Sequence, residues 1–140
     1  MSSILPPVPY VHRLRVRYSE CDAQQHVFNA NYLMYFDVTM TELWRDRLGG
    51  YDEMLSAGVD MVVAEAKVRY LAPARFDDLL EIEPVVSHLG TTSLVTQLLV
   101  RRGEELLAEG ELRHVFVDTA TMTKTAPPEP VRAGLGELRG

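Results

Sequence analysis

A single cysteine, Cys21, stands among the 140 residues. No disulfide can form within such a chain, and a reducing, cytoplasmic setting is the natural expectation. No window approaches the roughly 18 apolar residues that a membrane-spanning helix needs, so no membrane partner is expected. Positive charge is also scarce: 14 Lys and Arg against 20 Asp and Glu leave a net charge of −6. A nucleic-acid binder would normally carry a basic field, which sets that class aside, although a few local arginines suffice for a small anionic ligand. The four histidines, His12, His26, His88 and His114, show no metal-ligand spacing, and there is no glycine-rich phosphate loop. The opening "MSSILPPVPYVHR" lacks the basic-then-apolar signature of a signal peptide. It reads as an extended lead-in stiffened by Pro6, Pro7 and Pro9.

Apolar residues are plentiful enough for a real core, at a length that fits one domain over 1–140. Residues 11–18, "VHRLRVRY", alternate partly between apolar side chains and arginines, as a strand with one basic face does. A polar loop follows over 19–29, crowded with Glu20, Asp22, Gln24, Gln25, His26 and Asn29. From Asn29 or Asn31, either of which suits a helix N-cap, a helix is expected to about Leu48, stopped by Gly49-Gly50. Its first half is apolar nearly all round, from Tyr32 to Met40, which predicts burial on every side. A short helical piece over 51–58 precedes four strands, at 59–71, 78–90, 92–103 and 105–118, the last two joined by a tight turn at Gly103-Glu104. The tail is expected to carry one short helix after Pro130 and otherwise to be mobile, leaving a core of about 11–118. One helix followed by a run of strands argues an α+β fold with an antiparallel sheet. So few helices leave one sheet face and an edge uncovered, and oligomerisation is the simple remedy.

Two stretches, "RVRYSECDAQQHVFNANYLMYFD" and "VRYLAPARFDDLLEI", resemble the hotdog-fold acyl-CoA thioesterases of the 4-hydroxybenzoyl-CoA thioesterase type. The resemblance covers roughly residues 11–118. It implies a long central helix wrapped by a five- or six-stranded antiparallel sheet, and a homodimer whose sheets join edge to edge, often paired again into a tetramer. The implied substrate is an acyl-CoA or acyl-carrier protein thioester, with coenzyme A entering as part of the substrate, no separate cofactor and no metal. The family's carboxylate falls on Asp22, and the backbone amide that receives the thioester carbonyl falls on Asn29. Three positions depart from relatives: Gln25 stands where many have Gly, Asn29 where one subgroup has a functional His, and Phe28 where the "HVNN" subgroup has its first Asn.

The chemistry fits those residue types. Asp22 can act as general base on water or attack the thioester directly. The first turn of a helix offers aligned N–H groups to an oxyanion, worth about 2.7–4 kcal/mol per donor. His26 either positions Asp22 or the substrate, or only bonds the loop backbone, and Asn29 can serve as cap as well as donor. Phe28 and Tyr32 are candidates to line an acyl pocket, as is Glu65, although aromatic residues in such a run are mostly core. Coenzyme A carries phosphates, for which Arg69, Arg101 and Arg102 are candidates, with Lys67, Arg75 and Arg113 behind them; a solvated strand face is the plain reading of each. Asp37, in an apolar helical run, calls for a partner such as Arg, and Cys21 suits a small buried thiol. A hotdog enoyl-CoA hydratase and a non-catalytic acyl-thioester-binding protein are the alternatives. The four-residue spacing of Asp22 and His26 counts against the first, and the presence of Asp22 against the second.

Overall fold

A computed structural model of the chain describes residues 9–140. The lead-in's Pro6 and Pro7 lie outside the described residues. Five strands form one antiparallel sheet: β1 (His12–Arg15), β2 (Val59–Tyr70), β3 (Leu79–Leu89), β4 (Ser93–Arg102) and β5 (Glu105–Asp118), in spatial order β1-β3-β4-β5-β2. The four later strands follow the sequence reading to within a residue at each end. The first is shorter than expected, because the chain leaves the sheet and turns at Tyr18–Glu20.

Helix α1 (Asn31–Arg47) lies across one face of this sheet. Tyr32, Tyr35, Phe36, Thr39, Met40, Leu43 and Trp44 recur at helical spacing and are buried. They meet Leu80, Ile82, Leu94, Leu98, Leu112 and Phe116 of the sheet's inner face in a single core. Phe36 sits directly over Gly110 of β5, where a Cβ would come within 2.3 Å of its ring. Gly49 and Gly50, at φ 86° and 94°, end the helix as expected, with the Gly50 N–H returning to the Trp44 carbonyl, and the short helix α2 (Tyr51–Ser56) follows. The long helix wrapped by an antiparallel sheet is the hotdog arrangement that the resemblance implies.

Three expectations need correction. Burial of α1 on every side is not met within one chain: Leu33, Met34 and Val38 stay about 40% exposed, because the sheet covers only one side of the helix. Asp37 lies on that open side and has no ion pair among the described residues, so the expected arginine partner is absent. The tail is docked rather than loose. Val131, Leu135 and Leu138 are buried along and after α3 (Glu129–Gly136), and the Val86 N–H donates to the Leu138 carbonyl at 2.9 Å. Its apolar spacing pins it beside β3.

Candidate active site

The loop from Glu20 to Phe28 folds back on itself as a small hairpin. The Asp22 N–H donates to the His26 carbonyl at 2.8 Å, and the Phe28 N–H to the Glu20 carbonyl at 2.9 Å. The 74–76 segment anchors it from the side, with the Val27 N–H bonded to the Ala74 carbonyl. Gln25 turns the tip at φ 63°, the left-handed region that favours glycine. The sequence departure at this position therefore leaves the turn intact and strained.

Asp22 is held by only one of its oxygens. Oδ1 accepts the N–H groups of Gln24 (2.9 Å) and His26 (3.2 Å), as Asx turns do. Oδ2 makes no hydrogen bond among the described residues and is left to the exposed side. His26 thus acts on Asp22 through its backbone. Its half-buried ring makes no hydrogen bond among the described residues and lines the same cavity.

That cavity, of about 420 Å³, opens between the loop, the start of α1 and the end of β2. Asp22, His26, Phe28, Asn29 and Tyr32 all line it, together with Val27, Tyr70 and the 71–73 turn. Tyr32 is buried edge-on between the rings of Tyr35 and Tyr70, so it is core and wall at once. Neither Asn29 nor Asn31 caps the helix. Ala30 occupies the N-cap with no side-chain bond, while Asn31 Nδ2 donates to the Glu20 carbonyl at 2.8 Å. The backbone carbonyl of Asn29 accepts the Tyr70 hydroxyl at 2.8 Å. The N–H groups of Asn29 and Ala30 come before the first bonds of the helix, at the positive end of its dipole.

Most of the other expected site residues lie elsewhere. Pairing of β2 with β5 sets Glu65 opposite Arg113 and Arg69 opposite Glu109, on the sheet's outer face, whereas the pocket residue Tyr70 pairs with buried Ala108 on the inner face. Glu65 lies near Lys67 (3.5 Å), and Arg69 near Glu109 (3.9 Å). Arg101 is bonded to Glu83, and Arg102 to Asp78 and Glu105 at 2.7 Å each, so both are committed to strand-to-strand ion pairs. Arg102 also reaches the carbonyl of Pro73, in the cavity wall, at 3.4 Å, and Arg75 is brought close as well. It forms a backbone bridge with His26, it is exposed, and its guanidinium has no ion pair among the described residues. Cys21 is half-buried, and burial and the nearby Asp22 push its thiol up, away from thiolate chemistry.

Two residues escaped the sequence reading. Tyr70 walls the cavity and fastens the end of β2 to the start of α1. Glu20, only 6% exposed, accepts from the Arg17 backbone and guanidinium and from the Tyr35 hydroxyl. Burial pushes its carboxyl up, but those donors outweigh burial and hold it below the usual carboxylate range. A glutamate in a polar loop carries no local sign of this; only Arg17, three residues before it, was a signal.

Comparison with known proteins gives a consistent result. The family model described as the thioesterase superfamily matches residues 24–122. The acyl-CoA thioester hydrolase YbgC of Escherichia coli O6:H1 is 36% identical over 121 residues, covering 86% of this chain and 90% of its own. A Thermus thermophilus protein of solved structure superposes with a TM-score of 0.83 at 29% identity, over 92% of this chain and 98% of that one. The dynemicin thioesterase superposes with a TM-score of 0.88 over 95% and 99%, at 19% identity, a likeness of fold alone.

Proposed function

The chain belongs to the thioesterase superfamily and is a hotdog-fold acyl-CoA thioesterase, and from that premise we propose that Asp22 is its reacting carboxylate and the start of α1 its oxyanion site. The observation that carries this reading is the asymmetry of Asp22: one oxygen is fixed by two backbone N–H groups, the other makes no hydrogen bond among the described residues, and the residue lines a cavity shared with the helix N-terminus.

The thioester carbonyl enters between the two. Asp22 takes a proton from water as the water oxygen bonds to the carbonyl carbon, and the C=O electron pair moves onto oxygen. The N–H groups at Asn29 and Ala30 meet that charge where it develops. When the intermediate collapses, the carbon–sulfur bond breaks, the sulfur leaves with the electron pair, and it regains a proton from Asp22 or solvent. The products are a carboxylic acid and free coenzyme A. Direct attack by Asp22 would pass through an anhydride and give the same products after hydrolysis. Phe28, Tyr32 and Tyr70 would flank the acyl group, and the free guanidinium of Arg75 would meet a phosphate of coenzyme A. Chains of acyl-carrier protein present the same thioester and are included in the reading.

The edge strand β2 has 12 residues, with Val62, Val63 and Tyr70 exposed, and Leu33, Met34 and Val38 are open on α1. Covering large apolar side chains releases about 1.5–3 kcal/mol for each one fully buried, which supports a homodimer and a further pairing into a tetramer. The single cysteine supports a cytoplasmic setting; among the described residues no helix is long and apolar enough to cross a membrane. The test of the activity is thiol release from a panel of acyl-CoA and acyl-carrier protein thioesters by the parent and by Asp22→Asn. Equal rates from the two would remove Asp22 from the chemistry.

A further inference from the structure

Glu20 is a buried carboxylate that the hydrolysis described above does not use. Its side chain faces away from the cavity of Asp22, into a groove on the other flank of α1 with Arg15, Met34 and Val38. Yet its bonds run to two of the elements that frame the site, the loop and α1. Oε1 accepts the Arg17 N–H at 2.8 Å and the Tyr35 hydroxyl at 2.9 Å. Oε2 accepts Nε and Nη2 of Arg17 at 2.9 and 2.7 Å. Its carbonyl accepts the Phe28 N–H at 2.9 Å and Asn31 Nδ2 at 2.8 Å. Asp22 follows two residues later. Two of these partners, Asn31 and Tyr35, belong to successive turns of α1.

We propose that Glu20 is a positioning residue that registers the strand of chain carrying Asp22 against the helix whose N-terminus receives the oxyanion. This rests on the reading of Asp22 as the reacting carboxylate. Without the Glu20 side chain, the hairpin that bears Asp22 keeps its bonds to the 74–76 segment, but only the Asn31 bond to the Glu20 carbonyl and the backbone turn from Phe28 to Tyr32 relate it to α1. Burying a carboxylate is costly even when it is paired, and an apolar residue of like size often gives equal or greater stability. A geometric role accounts for the charge. Oε1 needs to accept from the turn and from the helix at once, while Oε2 locks the arginine that closes the turn. The leverage is large, because a misplacement of about 1 Å between a catalytic group and its target costs about 10²-fold in rate.

The sharpest test is Tyr35→Phe, which removes only the hydroxyl that ties Glu20 to the helix and keeps the ring in the core. Glu20→Gln is the second variant; it leaves Oε1 as an acceptor but turns a donor toward the guanidinium of Arg17. Each is measured for kcat and KM with and without Asp22→Asn, and for amide hydrogen exchange. The expected result is a kcat lower by about 10-fold or more, with KM within about twofold of the parent. In the Asp22→Asn background the same changes should alter the residual rate by less than about twofold, because residues that act as a unit are not additive. The Gln24 and His26 amides, which donate to Asp22, should exchange faster, while those of β3, β4 and β5 keep their rates. Losses of equal size in both backgrounds, or a uniform rise in exchange across the sheet, would mean a merely structural role and overturn the inference. So would parental kcat in both variants. If Asp22→Asn is inactive and Tyr35→Phe is not impaired, the positioning idea alone fails; if Asp22→Asn keeps the parental rate, the underlying assignment fails with it.

Discussion

Replacing Asp22 by Asn separates its two oxygens. Oδ1 accepts the Gln24 and His26 N–H groups at 2.9 and 3.2 Å, and an Asn carbonyl oxygen can accept both. Only Oδ2, the oxygen left for chemistry, becomes an amide nitrogen. A hydrogen bond to a charged acceptor is worth about 1 kcal/mol more than one to a neutral acceptor, and exposure of Asp22 reduces that further. Stability should therefore fall by about 1 kcal/mol at most, a Tm change of about 4 °C or less at this chain length. Loss of a general base removes about 10²–10⁴-fold in kcat, or about 2.7–5.4 kcal/mol of barrier. The kinetic loss thus exceeds the structural one severalfold, and it should fall on kcat rather than KM. Asp22→Glu adds a control: its charge is kept, but the extra methylene takes the carboxylate out of the turn, so activity should still drop by about 10²-fold. Thiol release at saturating acyl-CoA, with circular dichroism melts alongside, reads both quantities. An Asp22→Asn protein that melts like the parent and hydrolyses its best substrate as fast would refute the assignment.

Burial depresses His114 to about 4, so the neutral imidazole belongs to the folded state. The unfolded chain takes up a proton near pH 6.5 that the native one does not, so stability should be full above that pH. It should fall by on the order of 3 kcal/mol as pH drops from 6.5 to 4. Urea unfolding across this range should show the slope, and His114→Leu should flatten it. Gln25→Gly relieves a left-handed residue, worth about 1–2 kcal/mol, against about 0.4–1 kcal/mol of added chain entropy. A net gain of about 0–1.6 kcal/mol in urea unfolding is expected, and a loss would show that the Gln25 side chain contributes. Arg75→Ala should raise KM for acyl-CoA several-fold with kcat kept, an effect that shrinks as salt screens the charge; an unchanged KM would free Arg75 from phosphate recognition. Sedimentation should show a species of at least twice 15.8 kDa; a folded monomer at all concentrations would refute the proposed assembly.

Periodicity made the sheet legible. The period-two alternation of β3 and β4 and the strongly apolar β5 mark inner-face residues that the structure does bury, and β5 keeps its expected ends. Periodicity also marked α1, but composition there could not tell a side chain facing the sheet from one facing outward. Phe36 and Val38 look alike in sequence and differ completely in burial. The cap was misread because the helix starts between the two candidates: Ala30 stands at the N-cap, and the Asn31 side chain is spent on the Glu20 carbonyl. Likewise Arg101 and Arg102 look free until the register brings Glu83 and Asp78, on or beside the neighbouring strand, within reach. The pocket cluster was legible because it is local: Asp22 to Tyr32 is one loop and one helical turn.

The absent side chain at Gly110 has a reach beyond its own strand. A Cβ there would stand 2.3 Å from the Phe36 ring, where contacts under about 3.0 Å do not occur, and the ring is walled in. An alanine would drive the Phe36 ring off its rotamer and press on the helix that carries it. The start of the helix at Asn31, five residues back and about 7.5 Å along the axis, would feel any shift of its backbone. The clearance between the helix start and the Asp22 loop is then an adjustable gap, and residue 110 is its shim. Related chains that differ there should show altered acyl preference with every pocket residue unchanged, and a designer seeking a wider mouth could begin at the floor of the sheet.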